Sequence, residues 1–579
     1  MGRLPVRRPL VAAAVVGLLA GTGGLVLSGG AAGDETHAGR LAALGRELAD
    51  RLPAAHRSAL SSGGRQLLEL GDLLSRAGRQ LAADTDRSAW PTPRPAGPGE
   101  ASDPYAAEDF ASRLAGMTQS EPSAAWCGPT AAIGWNDSGS LVATQVLGAG
   151  PAGNLSFVGW ATSTDGGRRY VDRGPLIAPR PPRGVAHRDL FGDPVLGCTS
   201  ASTFYLATLA AQILDGGDGA TAIAVSRSTD RAASFPRTTL VTSRPGKRGQ
   251  LVDKPWLAVH PGPTAAPDDD MLHVTYTVFD MSGTSALCGP DQARVAIEYS
   301  RSGDGGRSWR APAILGEVCG DQQLVHGSQV AVGPDGQVYV GWQRFARFAD
   351  DSDIRLRRSG DAGGSWGPER VVNRVVSAGA GFGVQGNFRT FLALQGLAVD
   401  TSRTPSRGTV YLSWHDGRRR SQPDPFGGCA GAAYCFADAL LTRSTDRGAT
   451  WSAPVRVNTD DPRRGVDQLF PAMAVDRDGR VWVGFYDRRR DPRNFLIDMF
   501  VAWSDDRGRT WRNRRLSTAA FAPVLGGQDA LVFPLYMGDY QAVAIDRLGT
   551  RAGAIVAWGD NSRGDANVLH RRVSREESP

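Results

Sequence analysis

Charged and aromatic residues of this chain gather in short clusters suited to binding or hydrolysis. One set comprises Glu121 (SEP), Asp193 (GDP), Asp253 with Lys254 (DKPW), His326 (HGS), Arg389 (NFRT), Asp467 with Gln468 (DQLFP), and Asp539 with Tyr540 (GDY). A second comprises Asp137 (WND), Asp280 (VFD), His415, Asp416 and Arg418 (WHDGR), Tyr486, Asp487 and Arg488 (YDRR), and Asp560 with Arg563 (GDNSR). Two carboxyls facing each other at ~5–9.5 Å can cleave a glycosidic bond. Arginines grip a substrate carboxylate through paired hydrogen bonds. Lys254 is notable because the chain uses arginine almost everywhere else, with Lys247 its only other lysine. Its ammonium is a compact point charge, not a planar fork. The competing role for each acid is structural, accepting backbone N–H bonds from a neighbouring unit.

These clusters are positioned by a repeated unit. From His326 the chain reads HGSQVAVGPDG, QVYVGWQRF, DIRLRRSGD and ERVVNRV, four short strands with a Pro-Asp-Gly turn after the first. The same order starts near Glu121, Asp193, Asp253, Arg389 and Asp467, and a seventh, incomplete unit starts at Asp539. Neighbouring strands are antiparallel, so the start of the first strand and the end of the second share a face. Both clusters of chemistry therefore fall on one face. Between the third and fourth strands lies Ser-x-Asp-x-Gly-x-x-aromatic, starting at Ser163, Ser228, Ser302, Ser359, Ser444 and Ser504, with Ala232 in place of glycine in the second copy. Asp and Ser cap nearby N–H groups, Gly supplies a positive φ, and the aromatic ring is expected to plug into its own unit.

This motif resembles the Asp-box (BNR) repeat of the sialidase-like β-propellers, over roughly Glu121 to the C-terminus. The resemblance implies an all-β propeller of four-stranded blades, with seven counted here and six as the alternative. Because the seventh unit ends without a fourth strand, the segment just before Glu121 is expected to supply its outer strand and close the ring. Charged strand ends would then ring a central mouth, the usual place for a ligand. In the sialidases three arginines hold the substrate carboxylate, a tyrosine attacks and an aspartate is the acid/base. Carried over, Arg418, Arg488 and Arg563 form the arginine cluster and Tyr540 or Tyr486 is the nucleophile. Asp193 or Asp253, beside Asp539, supplies the acid. Lys254, His326, Glu121, Asp487 and Tyr486 line the substrate. The Phe/Tyr-Arg-Ile-Pro motif of that family is absent, and Phe388-Arg389-Thr390-Phe391 is the nearest stretch. The resemblance thus implies an exported glycoside hydrolase acting on extracellular glycans. The alternatives are a non-catalytic glycan- or protein-binding propeller and, as in the xyloglucan-cleaving hydrolases, a two-carboxylate hydrolase of neutral polysaccharides.

The rest of the chain bounds this reading. Arg3, Arg7 and Arg8 precede an apolar run from Leu10 to about Leu27 and then small residues to Gly33, which reads as a secretory signal or an uncleaved N-terminal membrane anchor over 1–33. Residues 34–89 form a helical extension with Leu41, Leu44, Leu48 and Leu52 at helical spacing, read as a spacer or stalk, with a partner-binding helix as the alternative. A Pro- and Gly-rich linker, 90–104, leads to the propeller at 105–579. The formal charge of +6 arises from interleaved arginines and acids without a basic stripe, which argues against nucleic acid as a partner. Six cysteines suit an oxidising compartment, with Cys127–Cys198, Cys288–Cys319 and Cys429–Cys435 as candidate pairs. No cofactor is expected. Asp268-Asp269-Asp270 is read as a solvated loop, with a structural calcium site as the alternative. Gly363-Gly364-Ser365-Trp366-Gly367 matches a nucleophile elbow in letters but lies within a repeat turn.

Overall fold

The computed structural model describes residues 37–69, 118–146, 153–243, 249–264, 266–290, 292–347, 351–378, 383–386, 388–417, 434–523, 529, 537–563 and 566–574. The signal or anchor, the linker, Arg418, Cys429 and Lys247 lie outside them. Among the described residues no helix is long and apolar enough to cross a membrane.

Seven antiparallel sheets follow one another along the chain as the blades of a β-propeller. Second strands such as Thr130–Asp137, Val410–Asp416, Val481–Asp487 and Ala554–Asp560 are buried along their whole length. A blade lies between two others, so both of its faces are covered. Outer strands such as Val171–Pro175 and Arg512–Arg515 are mostly exposed or half-buried. Two second strands end in Trp-x-Asp with the indole N–H donating to the carboxylate two residues on, Trp414 to Asp416 and Trp558 to Asp560. Period-two alternation places both groups on one face.

The inner strands share a defect. Register slips in blade 1 between Ser120 and Ser123, in blade 3 between Asp253 and Trp256, in blade 4 between His326 and Gln329, and in blade 6 between Leu469 and Ala472. Positive φ angles mark the slips at Glu121, Lys254, Gly327 and Phe470, and Asp193 sits likewise between the two halves of the inner strand of blade 2. Glu121, Asp193, Lys254 and Phe470 each precede a proline, which cannot donate to a ladder and is tolerated at a bulge. Such bulges re-aim side chains. Here they lie where the inner strands enter the mouth.

All six Ser-x-Asp turns fold alike. In the first, Ser163 Oγ–H donates to Asp165, the Gly167 N–H donates to Ser163 Oγ at 2.9 Å, and Asp165 Oδ1 accepts the N–H groups of Arg168 and Arg169. The glycine position has φ between 76° and 84° in five copies, and Ala232 adopts 56° in the sixth. The aromatic residues depart from expectation, because they pack on the preceding blade. Phe235 meets Trp160 edge-on at 5.8 Å and Trp366 meets Tyr299 at 4.8 Å. The turn projects beyond its own sheet, so the nearest uncovered apolar surface belongs to the neighbour.

Blades 7 and 1 meet through direct contacts: Arg547 N–H donates to Trp126 O, Gly128 N–H to Asp546, and Gln119 N–H to Ala566 O. The described part of blade 7 has three strands, Ala542–Ile545, Ala554–Asp560 and Asn567–Val573. The segment just before Glu121, expected to supply the outer strand of this blade, lies outside the described residues up to position 117. Disulfides join Cys127 to Cys198, linking blades 1 and 2, and Cys288 to Cys319 within blade 3. Cys435 is also disulfide-bonded.

The N-terminal extension is not a free spacer. Helix α1 (His37–Arg51) and the short helix α2 (Ala54–Ala59) pack on the propeller. Leu41, Leu48, Leu52, Leu60 and Leu67 belong to the same buried cluster as residues of blades 2, 3 and 4. The leucine stripe requires an apolar partner, and the blades supply it.

Candidate functional site

At the mouth the inner strands of blades 2, 3 and 4 bring their side chains together with Tyr540, just before the inner strand of blade 7. Asp193, Asp253 and His326 are fully buried, and Lys254 and Tyr540 are 4 % and 5 % exposed. Lys254 reaches over the ring of Tyr540, its Nζ 3.2 Å from the centroid and 5.7 Å from that of Trp256. Blades 3 and 7 are thereby bridged at the mouth by a cation–π contact. Within the described residues, Lys254 Nζ, the Tyr540 hydroxyl and Asp193 Oδ2 make no hydrogen bond.

A polar chain runs around this centre. Arg389 pairs with Asp539 through two bonds, whose backbone N–H donates to Glu121 Oε1 at 2.9 Å. The other oxygen of Glu121 accepts from Asn136 Nδ2 at 2.7 Å, and Asn136 Oδ1 accepts the Asp193 N–H at 2.7 Å. Asp253 Oδ2 lies 3.7 Å from His326 Nε2, and His326 Nδ1 bonds Thr277 Oγ1 at 2.8 Å. Glu121 thus has the structural role weighed in the sequence, fastening blade 7 to blade 1.

Electrostatics follow from burial. Asp253 holds its proton to well above the usual carboxylate range, first because it is buried and then because of electrostatic repulsion from the neighbouring Asp193 carboxyl. Burial, then Lys254 and Arg389, lower His326 to about 3, so its imidazole is neutral. Burial, followed by Glu121, Asp193, Asp539 and Asp253, drives the Tyr540 phenol well above its ordinary value. Four surrounding carboxyls make a phenolate at Tyr540 unfavourable.

The end of α2 and the residues after it, Ser58–Gly64, cover this centre. Ser61 donates its N–H to Asp253 Oδ2 at 2.8 Å and its hydroxyl to Asp253 Oδ1. The Gly63 N–H points to Asp193 Oδ1 at 3.5 Å. Arg389 donates to the carbonyls of Ser58 at 3.1 Å and Leu60 at 2.9 Å.

Other residues of the expected site are used elsewhere. Arg488 is buried and donates to Asn494 O, Gln385 O and Asp467. The Tyr486 hydroxyl donates to Gly559 O at 2.6 Å, and Asp487 accepts from Arg489 and Gln468. Arg563 lies exposed in the loop after the second strand of blade 7. Arg488 and Arg563 thus sit in different settings, apart from the Lys254–Tyr540 centre. Strand-end aspartates cap the turns after them: Asp137 accepts from Gly139 and Ser140, and Asp560 from Ser562. In the Asp268–Asp270 stretch, Asp268 pairs with Arg227 and Arg307, Asp269 accepts the Thr264 N–H, and Asp270 accepts Thr199 and Tyr205. Asn136 and the Ser58–Gly64 stretch were not singled out in the sequence. The recurring acid-or-cation before proline (SEP, GDP, DKP) was the signal for the bulges, but nothing local marks which distant segment covers them.

No protein-family model matches this chain. No curated protein matches it. Among solved structures, a Hadza microbial sialidase is similar at 15% identity, covering 72% of this chain and 73% of its own, with a TM-score of 0.36. An α-L-arabinofuranosidase of Fusarium graminearum, solved with arabinobiose, is 12% identical over 64% of this chain and 88% of its own, with a TM-score of 0.39. A polysaccharide lyase acting on ulvan is 11% identical over 80% of this chain and 95% of its own, with a TM-score of 0.43. Overlap at this level is partial and assigns no activity to this chain.

Proposed function

We propose that this chain is a glycoside hydrolase whose site is the mouth formed by Asp193, Asp253, Lys254, His326, Arg389, Asp539 and Tyr540. The observation that carries the reading is the fully buried carboxyls of Asp253 and Asp193 at the mouth, with Asp253 kept protonated by burial and by its neighbour Asp193. A proton held near neutral pH beside a second carboxylate is what a general acid and its partner require. In this reading Asp253 protonates the leaving oxygen and Asp193 is the base or nucleophile. Lys254 places a positive charge where oxygen gains electron density. Tyr540 is a neutral phenol and ring platform.

This favours a neutral glycan. The sialidase-like version would use Tyr540 or Tyr486 as nucleophile with Arg418, Arg488 and Arg563 on the substrate carboxylate. It has less support, because Arg488 and the Tyr486 hydroxyl are bonded to main-chain carbonyls and, among the described residues, Tyr540 has no hydrogen-bonded base. The disulfides suit an oxidising, extracellular setting, and the proposed partner is an extracellular glycan or glycoprotein.

The test is sugar release from neutral polysaccharides and from a fluorogenic sialoside, by the full chain, by a Gly63→Leu variant that unseats the covering segment, and by Asp253→Asn in both backgrounds. The expected result is release from a neutral glycan, reduced about 100-fold or more by Asp253→Asn. Turnover of the sialoside alone would restore the sialidase version. Folded proteins that bind glycan without cleaving it would make this a binding propeller.

A further inference from the structure

The Ser58–Gly64 segment lies on the mouth in a way that a mere covering layer need not. Ser61 presents two adjacent donors, its N–H and its hydroxyl, to the two oxygens of one carboxylate, Asp253. That is the pattern two neighbouring hydroxyls of a sugar would offer. Two carbonyls, of Ser58 and Leu60, meet one guanidinium nitrogen of Arg389. Close approach is secured by glycine: a Cβ on Gly63 would fall 2.0 Å from Phe191 O, and one on Gly64 would fall 2.9 Å from Asp253 Oδ1. Lys254, next in the chain to the Asp253 that Ser61 engages, is buried against Tyr540 and Trp256, and among the described residues its Nζ has no hydrogen-bond partner. The segment belongs to no blade, so its withdrawal breaks no sheet and costs the packing of Leu60.

We propose that residues Ser58–Gly64 are an internal occupant of the mouth, standing in for a ligand with adjacent hydroxyls on Asp253, and that ligand enters only when the segment withdraws. The identity of the displaced ligand as a glycan rests on the function proposed above; the occupancy itself does not. The segment then acts as a self-inhibitory plug, held by the leucines of α1 and by α2, where His56 Nε2 bonds Gln323 O at 3.1 Å.

Lys254 reports on the plug without reference to activity. With only one other lysine in the chain, its acylation by an amine-reactive acetyl ester can be followed peptide by peptide by mass spectrometry. The native full chain is compared with denatured chain and with two variants, Gly63→Leu and Ser61→Leu, the second removing the hydroxyl donor to Asp253 and setting an apolar side chain against it. Circular dichroism confirms that each retains its sheets. Lys254 is expected to be strongly protected in the wild type and to react about tenfold faster or more in a folded variant, as for loss of one or two buried hydrogen bonds. Wild-type labelling as fast as in the denatured chain, or unchanged protection in the folded variants, would overturn the plug. Faster labelling without sugar release from any glycan would uphold the plug and defeat the hydrolase reading.

Discussion

Asp253 shows how one residue acquires chemistry from its surroundings. Its carboxyl is buried, faces Asp193 and accepts from Ser61, and the first two effects outweigh the third. A folded-state value raised above the unfolded ~3.9 means that the native state holds a proton the unfolded chain has released. Stability from this group is therefore present at low pH and lost as pH rises through that interval. Relative to Asp253→Asn, the wild type should lose more than about 1 kcal/mol of stability from pH 4 to pH 8. Urea midpoints across that range check it, and parallel curves would refute the buried protonated carboxyl.

At the scale of elements, two devices recur. The inner-strand bulge places a residue at positive φ before proline in four blades, tilting Lys254 and its counterparts toward the mouth. For a non-glycine residue this conformation costs about 1–2 kcal/mol, which is strain kept where ligands bind. The Ser-x-Asp turn does the opposite work on the far face, locking each blade to the one before it. Gly363 shows its tolerance: φ is 83°, and a Cβ would come 1.8 Å from the Tyr299 hydroxyl. Gly363→Ala should lower stability by roughly 2–4 kcal/mol, read from denaturant midpoints, with sugar release at saturating substrate unchanged. The repeat was legible in sequence because Ser, Asp and Gly each answer a local requirement. The neighbour-directed packing of the aromatic was not, because it depends on the angle between sheets.

For the whole molecule, the question is how a ring of seven sheets stays closed and what it encloses. Closure between blades 7 and 1 rests on hydrogen bonds such as Gly128 N–H to Asp546, and the Cys127–Cys198 disulfide ties blade 1 to blade 2 across 71 residues. Replacing both cysteines by serine should cost about 2–5 kcal/mol, seen as a lower melting temperature. Lys254 labelling should also increase, because blade 2 carries Asp193 and Phe191 against the plug. The strand order, the blade count and the face bearing the charged ends follow from the sequence, because alternation, turn residues and a repeated motif are local signals. So do Asp193, Asp253, Lys254 and Tyr540 as members of one face. Which of them meet was decided by the tertiary structure. Lys254 lies over Tyr540 from another blade, Arg488 turns to main-chain carbonyls, and Ser61 crosses 192 residues to reach Asp253. Such contacts arise from ring closure and from burial of the leucine stripe of α1, which join segments that carry no mark of each other in the chain.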